Sequence, residues 1–102
     1  MPKLKTIKQA DNCFIQFNEW FDKVYGNTYF DATVYIGNAC YRVPYQYGYH
    51  AGSPQAIDEA LKDCGYRVRA CKGDYHRPYR SIRISVRQVK KRDLNKEFKK
   101  EQ

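Results

Sequence analysis

The sequence has no apolar run long enough to cross a bilayer, and its basic N-terminus lacks the continuous apolar segment of a signal peptide. We therefore expect a protein that stays in the cytoplasm and does not associate with a membrane. In that reducing compartment its cysteines would remain free thiols. They are Cys13, Cys40, Cys64 and Cys71.

Groups typical of catalytic and metal sites are also scarce. The chain has two histidines, His50 and His76, and no C-x-x-C pair, and their spacing from Cys64 and Cys71 matches no zinc ribbon or finger. No glycine-rich phosphate loop follows a predicted strand. The carboxylates are scattered, and no group of them is placed to hold a catalytic metal ion. The sequence therefore predicts no catalytic residue, no metal site, no cofactor and no enzymatic activity.

What is present is a folded chain with an uneven charge. The 102 residues suit one domain, and a hydrophobic fraction of 42% exceeds that of disordered chains. Residues 1–64 hold six Lys/Arg and seven Asp/Glu, whereas residues 65–102 hold thirteen and four. An excess confined to one end suggests a polyanionic partner: nucleic acid, an acidic protein face or an anionic membrane, of which we expect one of the first two. The alternative is that the charge only keeps the protein in solution.

Local patterns predict three strands before a single helix. Residues 12–20 fit either a strand or a helix, and their short, aromatic-rich pattern favours a strand. Residues 28–36 and 39–47 alternate around a Gly-Asn pair that is typical of a tight hairpin. Pro44 cannot donate to a ladder, so we expect an edge position or a bulge there. Ser53-Pro54 then begins a helix that ends at Gly65.

The second half predicts a hairpin of residues 66–72 and 79–89. The fold class is therefore α+β: a mostly antiparallel sheet of about five strands in the order β-β-β-α-β-β, with one helix on one face. Residues 1–9 would be a flexible N-terminus and residues 10–89 a single domain. Residues 90–102 would be a basic tail that can form a short helix.

An arginine face is the first candidate binding surface. Arg67 and Arg69 on one strand, and Arg83 and Arg87 on the next, share a side if the two strands pair. These like charges would repel unless an anion lies nearby, and guanidinium forks match phosphate and carboxylate oxygens. Three further cations continue the surface: Lys90, Lys91 and Arg92. The alternative is a solvated face that protects a sheet edge from aggregation.

A tyrosine series is the second candidate. Tyr45, Tyr47 and Tyr49 alternate, so a strand that continued through Tyr49 would place all three rings on one face. Aromatic rings beside a positive groove hold single-stranded nucleic acid in many proteins. The alternative is that these rings pack against the helix and form the edge of the core.

The stretch NEWFDKVYGNTYFDATVYIG, followed by VPYQYGYH and a capped helix, resembles a group of small uncharacterised accessory proteins of tailed bacteriophages. Eleven residues carry the likeness, which spans about residues 18–65: Asn18, Trp20, Asp22, Lys23, Gly26, Asn27, Thr28, Tyr29, Tyr47, Gly48 and Tyr49. His50 stands where that group usually has glycine. The resemblance implies a phage accessory protein made in the cytoplasm of a bacterial host cell.

These features lead to one expectation and two alternatives. We expect a non-enzymatic phage accessory protein that binds nucleic acid or a nucleoprotein complex through a basic Arg/Tyr sheet face. One alternative is an inhibitor, similar to an anti-CRISPR protein, that binds a host nuclease or defence complex at an acidic face. The other is a small assembly subunit of the phage particle.

Overall fold

The computed structural model describes residues 4–7, 12–68, 79 and 82–101. Seven strands and one α-helix follow one another along these ranges. They are β1 (Lys5–Thr6), β2 (Phe14–Asp22), β3 (Asn27–Ile36), β4 (Ala39–Tyr47), α1 (Pro54–Asp63), β5 (Tyr66–Arg67), β6 (Arg83–Gln88) and β7 (Lys99–Glu101). A 3-10 turn, Lys91–Asp93, precedes β7.

The main sheet has five strands in the order β6-β2-β3-β4-β7. Strands β2, β3, β4 and β7 pair antiparallel in succession, and β6 lies parallel to β2. The second sheet is the short parallel pair of β1 and β5. The α+β class, with a mostly antiparallel sheet and one helix, is therefore confirmed.

The core lies between one face of the main sheet and α1. Ser53 caps the helix by accepting a hydrogen bond from the Ala56 N–H at 3.2 Å, and Pro54 occupies its first turn, as predicted. Buried side chains come from alternating positions of β2, β3 and β4 and from one stripe of the helix. They include Ile15, Phe17, Phe30, Ala32, Val34, Val43, Ile57 and Leu61. Among the described residues, no helix has the length and apolar character that spanning a membrane requires.

Strand β2 settles the ambiguity of residues 12–20 in favour of the strand. The predicted hairpin of β3 and β4 is also confirmed, with Gly37 at a φ of +58° in the turn. Its register shifts between Phe30 and Ala32, because Val43 lies opposite Ala32 whereas Gln46 lies opposite Phe30. The one extra residue of β4 forms a bulge at Pro44, which is where the missing N–H predicts one.

The described parts of residues 66–72 and 79–89 do not form the predicted hairpin, and residues 69–72 lie outside the described ranges. Strand β5 pairs with β1, and β6 pairs with β2 in the other sheet. In this register Ile84 lies beside Ile15, and Val86 lies beside Phe17. The parallel pairing therefore extends the apolar face of β2 by one strand, an arrangement that only a long connection through α1 allows.

Both chain ends take part in the fold where the sequence predicts loose segments. Strand β1 lies within residues 1–9, and the segment predicted as a basic tail contains the 3-10 turn and β7. Between β6 and β7 the chain passes from one edge of the main sheet to the other. We call residues 89–98 the crossover segment.

Candidate functional site

The crossover segment lies on the side of the main sheet that faces away from α1, which we call the open face. Side chains alternate along a strand, so this face receives the positions of β2 and β3 between the buried ones. They include Asn18 and Trp20 on β2, and Tyr29 and Asp31 on β3. Most of these side chains are aromatic or able to form hydrogen bonds.

Four aromatic residues form a contiguous group at one end of the open face: Trp20, Tyr29, Tyr45 and Tyr47. We call them the aromatic cluster. The Tyr29 ring lies at its centre, with its centroid 5.2 Å from that of Trp20, 6.1 Å from Tyr45 and 5.7 Å from Tyr47. Tyr45 and Tyr47 still expose 46% and 65% of their surface. Each is therefore held by ring contacts while part of its ring remains accessible.

Asp31 fastens the crossover segment to the open face. Its Oδ2 accepts a hydrogen bond from the Asn95 N–H at 2.7 Å, and its Oδ1 accepts one from Asn18 Nδ2 at 2.8 Å. The Asn95 carbonyl in turn accepts a hydrogen bond from the Tyr45 N–H at 2.9 Å. Burial raises the pKa of Asp31, an effect that these hydrogen bonds and the charge of Arg87 partly offset.

The crossover segment places cations beside the aromatic cluster. Lys91 Nζ lies 5.7 Å from the ring centroid of Trp20, within the range of a cation–π interaction. Tyr45 and the crossover segment also enclose an open cleft of about 530 Å³. The cleft is lined by Tyr45, Lys90, Lys91, Arg92, Leu94 and Lys96.

Two predicted arginines lie on the same face along β6. Arg83 is the register partner of Phe14, and Arg87 that of Asn18. Arg87 Nε donates to Asn18 Oδ1 at 3.2 Å, which links the strand to the hydrogen bonds of Asp31. Across the described residues, neither guanidinium has a carboxylate oxygen within 4.0 Å. Both positive charges therefore lie on the open face, where that of Arg87 also acts on the buried Asp31.

The four predicted arginines do not share one face. Arg67 belongs to the small sheet, where its Nε donates to Thr6 Oγ1 at 3.2 Å, because β5 does not pair with β6. Arg69 lies outside the described residues. The tyrosine series is shorter than predicted, since β4 ends at Tyr47 and Tyr49 follows in the bend after Gly48, whose φ is +110°.

Sequence reasoning missed part of this surface. Trp20 and Tyr29 belong to it because they face each other across the β2–β3 pairing. The period-two alternation was the available signal, since it places Trp20 on the side of β2 opposite the buried Phe17, and Tyr29 on the side of β3 opposite the buried Phe30. Leu94 and Lys96 enter through the crossover segment, whose path depends on contacts with β3 and β4 that no local pattern shows.

The three described cysteines, Cys13, Cys40 and Cys64, are buried or partly buried, which is typical of structural thiols. Burial raises the pKa of the Cys64 thiol to about 12, so it stays protonated at neutral pH. Cys13 is buried, and Cys40 is partly buried. Within the described ranges, no three histidine, cysteine or carboxylate side chains are grouped to hold a metal ion. Cys71 and His76 lie outside those ranges.

Comparison with protein-family models, with curated proteins and with solved structures finds no match to this chain. The arrangement of its own residues is therefore the basis for assigning a function.

Proposed function

We propose that this protein binds nucleic acid through the open face of its main sheet. The observation that carries the proposal is the cleft in which Tyr45 lies among the cations of the crossover segment, next to the aromatic cluster. Nucleic acids offer both complements of such a surface, since their phosphates attract cations and their bases have flat π-faces. Arg83 and Arg87 extend the positive charge along β6.

The resemblance to phage accessory proteins adds a cellular setting to this proposal. Three of the residues that carry it, Trp20, Tyr29 and Tyr47, belong to the aromatic cluster. We therefore propose that the protein acts in an infected bacterial cell, where the ligand would be phage or host nucleic acid, free or within a nucleoprotein complex. The protein would bind that ligand without catalysing a reaction on it.

The salt dependence of binding tests the proposal. Labelled DNA and RNA oligonucleotides would be titrated with the protein at about 50 mM and about 200 mM salt, and the anisotropy recorded. Each phosphate neutralised on a single strand makes this fourfold rise in salt weaken binding roughly 2.6-fold. We expect a steep loss of affinity, and the absence of salt-sensitive binding even in dilute buffer would end the proposal.

A paired charge substitution locates the binding surface. The double variant Arg92→Gln/Lys96→Gln removes two cations from the cleft, so we expect the log–log salt slope to become shallower by roughly 1.4. The matched control, Lys5→Gln/Lys62→Gln, removes the same charge from exposed positions on β1 and α1. If both variants changed the slope equally, the binding would reflect net charge and not the open face.

Binding to a host protein is a second candidate, favoured by the turn between β2 and β3. Phe21, Val24 and Tyr25 are exposed there, and Asp22 Oδ1 holds the turn by accepting a hydrogen bond from the Val24 N–H at 2.9 Å. Exposed apolar side chains on an ordered turn are typical of protein contacts. In this role the protein would inhibit a host nuclease or defence complex.

A nuclease-treated pull-down from bacterial lysate separates the two candidates. If the turn binds a protein, capture should survive nuclease and be lost in the double variant Val24→Ser/Tyr25→Ser. The control is Arg92→Gln/Lys96→Gln, which leaves the turn unchanged and should retain the partner. A partner that disappears on nuclease treatment would instead support binding through nucleic acid.

A further inference from the structure

We infer that the open face takes single-stranded nucleic acid, whose unpaired bases stack on Tyr45 and Tyr47 while its phosphates meet the cations of the crossover segment. This inference rests on the proposed function and names its ligand class. Three observations support the inference: the accessible rings, the position of the cations and the shape of the open face.

Tyr45 and Tyr47 are the rings of the aromatic cluster that a base can reach. The Trp20 ring is already in contact with other side chains, since Lys91 lies over it and Tyr29 packs beside it. Tyr29 contacts all three other rings of the cluster. The contacts with Tyr29 restrict both Tyr45 and Tyr47, so stacking a base on either tyrosine costs little additional side-chain entropy.

The cations stand where the backbone of a stacked nucleotide would run. Tyr45 lines the same cleft as Lys90, Arg92 and Lys96, so one nucleotide can place its base on the ring and its phosphate among these charges. The crossover segment is itself fixed at Asn95 by Asp31 and by Tyr45. The backbone segments that carry the ring and the charges are therefore held next to each other, as a stacking site beside a positive groove requires.

The shape of the face suits a single strand better than a duplex. Bases inside a duplex are already stacked and paired, so their faces cannot reach a tyrosine ring. Proteins that read duplex DNA commonly insert a helix into the major groove, but α1 packs on the opposite side of the sheet with Ala56, Ile57, Ala60 and Leu61 buried. The crossover segment and Tyr45 instead form an open cleft, which a flexible strand can enter.

The test compares one oligonucleotide as a single strand and closed into a hairpin duplex, at equal salt. Binding would be followed by the anisotropy of a label and by the emission of Trp20, the one tryptophan of the sequence. We expect the single strand to bind at least about tenfold more tightly, since one stacked base contributes roughly 5- to 150-fold in affinity. We also expect it to change Trp20 emission more than the duplex does.

Tyrosine variants identify the stacking positions. Tyr45→Leu and Tyr47→Leu should each weaken single-strand binding roughly 5- to 150-fold and leave duplex binding unchanged. Tyr35→Leu is the matched control, since Tyr35 is also exposed on the open face but packs against Phe14 at the other end of β3. Urea unfolding of each variant would show that the fold is retained.

The possible outcomes separate this inference from the function on which it rests. Salt-sensitive binding that is equal for both ligands, or tighter for the duplex, would overturn the inference and leave the proposed function standing. Single-strand preference that Tyr45→Leu and Tyr47→Leu do not reduce would overturn the stacking site in the same way. No salt-sensitive binding to either ligand would overturn both.

Discussion

Replacing Phe17 with alanine is expected to lower the free energy of unfolding by about 3–5 kcal/mol. Phe17 has 0% of its side chain exposed and lies in the centre of β2, where its ring meets that of Phe30 with centroids 5.8 Å apart. The substitution removes buried apolar area and leaves a cavity between the sheet and α1. Urea unfolding of the purified variant, followed by the emission of Trp20, would measure the loss.

Phe21 provides a control within the same strand, because it has the same side chain and is 50% exposed. We expect Phe21→Ala to change the free energy of unfolding by less than about 1 kcal/mol. A domain of this size has a total stability of roughly 5–15 kcal/mol, so Phe17→Ala can be largely unfolded. Phe17→Leu, which leaves a smaller cavity, keeps the comparison measurable. Equal losses at the buried and the exposed position would contradict the described core.

Replacing Asp31 with alanine is expected to loosen the crossover segment and to destabilise the fold. The carboxylate is 3% exposed and accepts hydrogen bonds from the Asn95 N–H and from Asn18 Nδ2. Each donor left buried without a partner costs about 1–3 kcal/mol, and relief of the desolvated charge returns part of this, so we expect a net loss of about 2 kcal/mol. Urea unfolding at neutral pH measures it.

The effect of pH on this variant has a definite sign. Burial raises the folded-state pKa of Asp31 above the ordinary value of 3.8, so the folded chain holds this proton more tightly than the unfolded chain does. The contribution of Asp31 to stability is therefore largest below pH 3.8 and falls as the pH rises through the raised pKa. We expect the deficit of Asp31→Ala, relative to the unmodified protein, to shrink over that range.

A second carboxylate of the same region serves as the control for Asp31. Asp93 is exposed on the 3-10 turn, where its Oδ2 accepts a hydrogen bond from the Lys90 N–H at 3.3 Å. We expect Asp93→Ala to change stability by about 0.5 kcal/mol or less. A deficit of Asp31→Ala that grew with rising pH would contradict the burial of this carboxyl group.

Asp31 also connects the fold to the proposed function. The bond from Asn95 to Asp31 fixes the segment that carries Lys91, Arg92 and Lys96 against the aromatic cluster. If the open face binds nucleic acid, Asp31→Ala should weaken that binding although Asp31 itself is an unfavourable neighbour for a phosphate. An increase in affinity would show that the charge of Asp31 matters more than the position of the segment.

Local patterns predicted the central part of the fold because its signals lie within a few residues of each other. The Gly-Asn turn set the β3–β4 hairpin, Ser53 and Pro54 set the start of α1, and Pro44 marked the bulge. The alternation along β3 separated Phe30 and Ala32 from Tyr29 and Asp31. These choices depend on backbone geometry and on the contrast between apolar and polar neighbours, which a sequence displays directly.

The partners of the later strands depended on contacts far apart in the chain. Sequential strands are often neighbours, which is why the sequence favoured pairing residues 66–72 with 79–89. The fold instead places β6 beside β2, since Ile84 and Val86 there continue the apolar surface of Ile15 and Phe17. As a result Arg67 is separated from Arg83 and Arg87, and the arginine face predicted from spacing is divided between two sheets.

The sequence by itself determined which residue types form the proposed binding surface, whereas the tertiary structure decided which individual residues belong to it. Charge excess and tyrosine content already indicated a cationic, aromatic face. Only in the folded chain does Lys91 lie over Trp20 and Tyr45 lie beside Arg92. Both contacts depend on the crossover segment, which Asp31 holds against the sheet. The hydrogen bond between the buried Asp31 carboxylate and the Asn95 N–H joins residues more than sixty positions apart. Its energy depends on that contact and not on the residues next to Asp31 in the sequence, so local periodicity does not predict it.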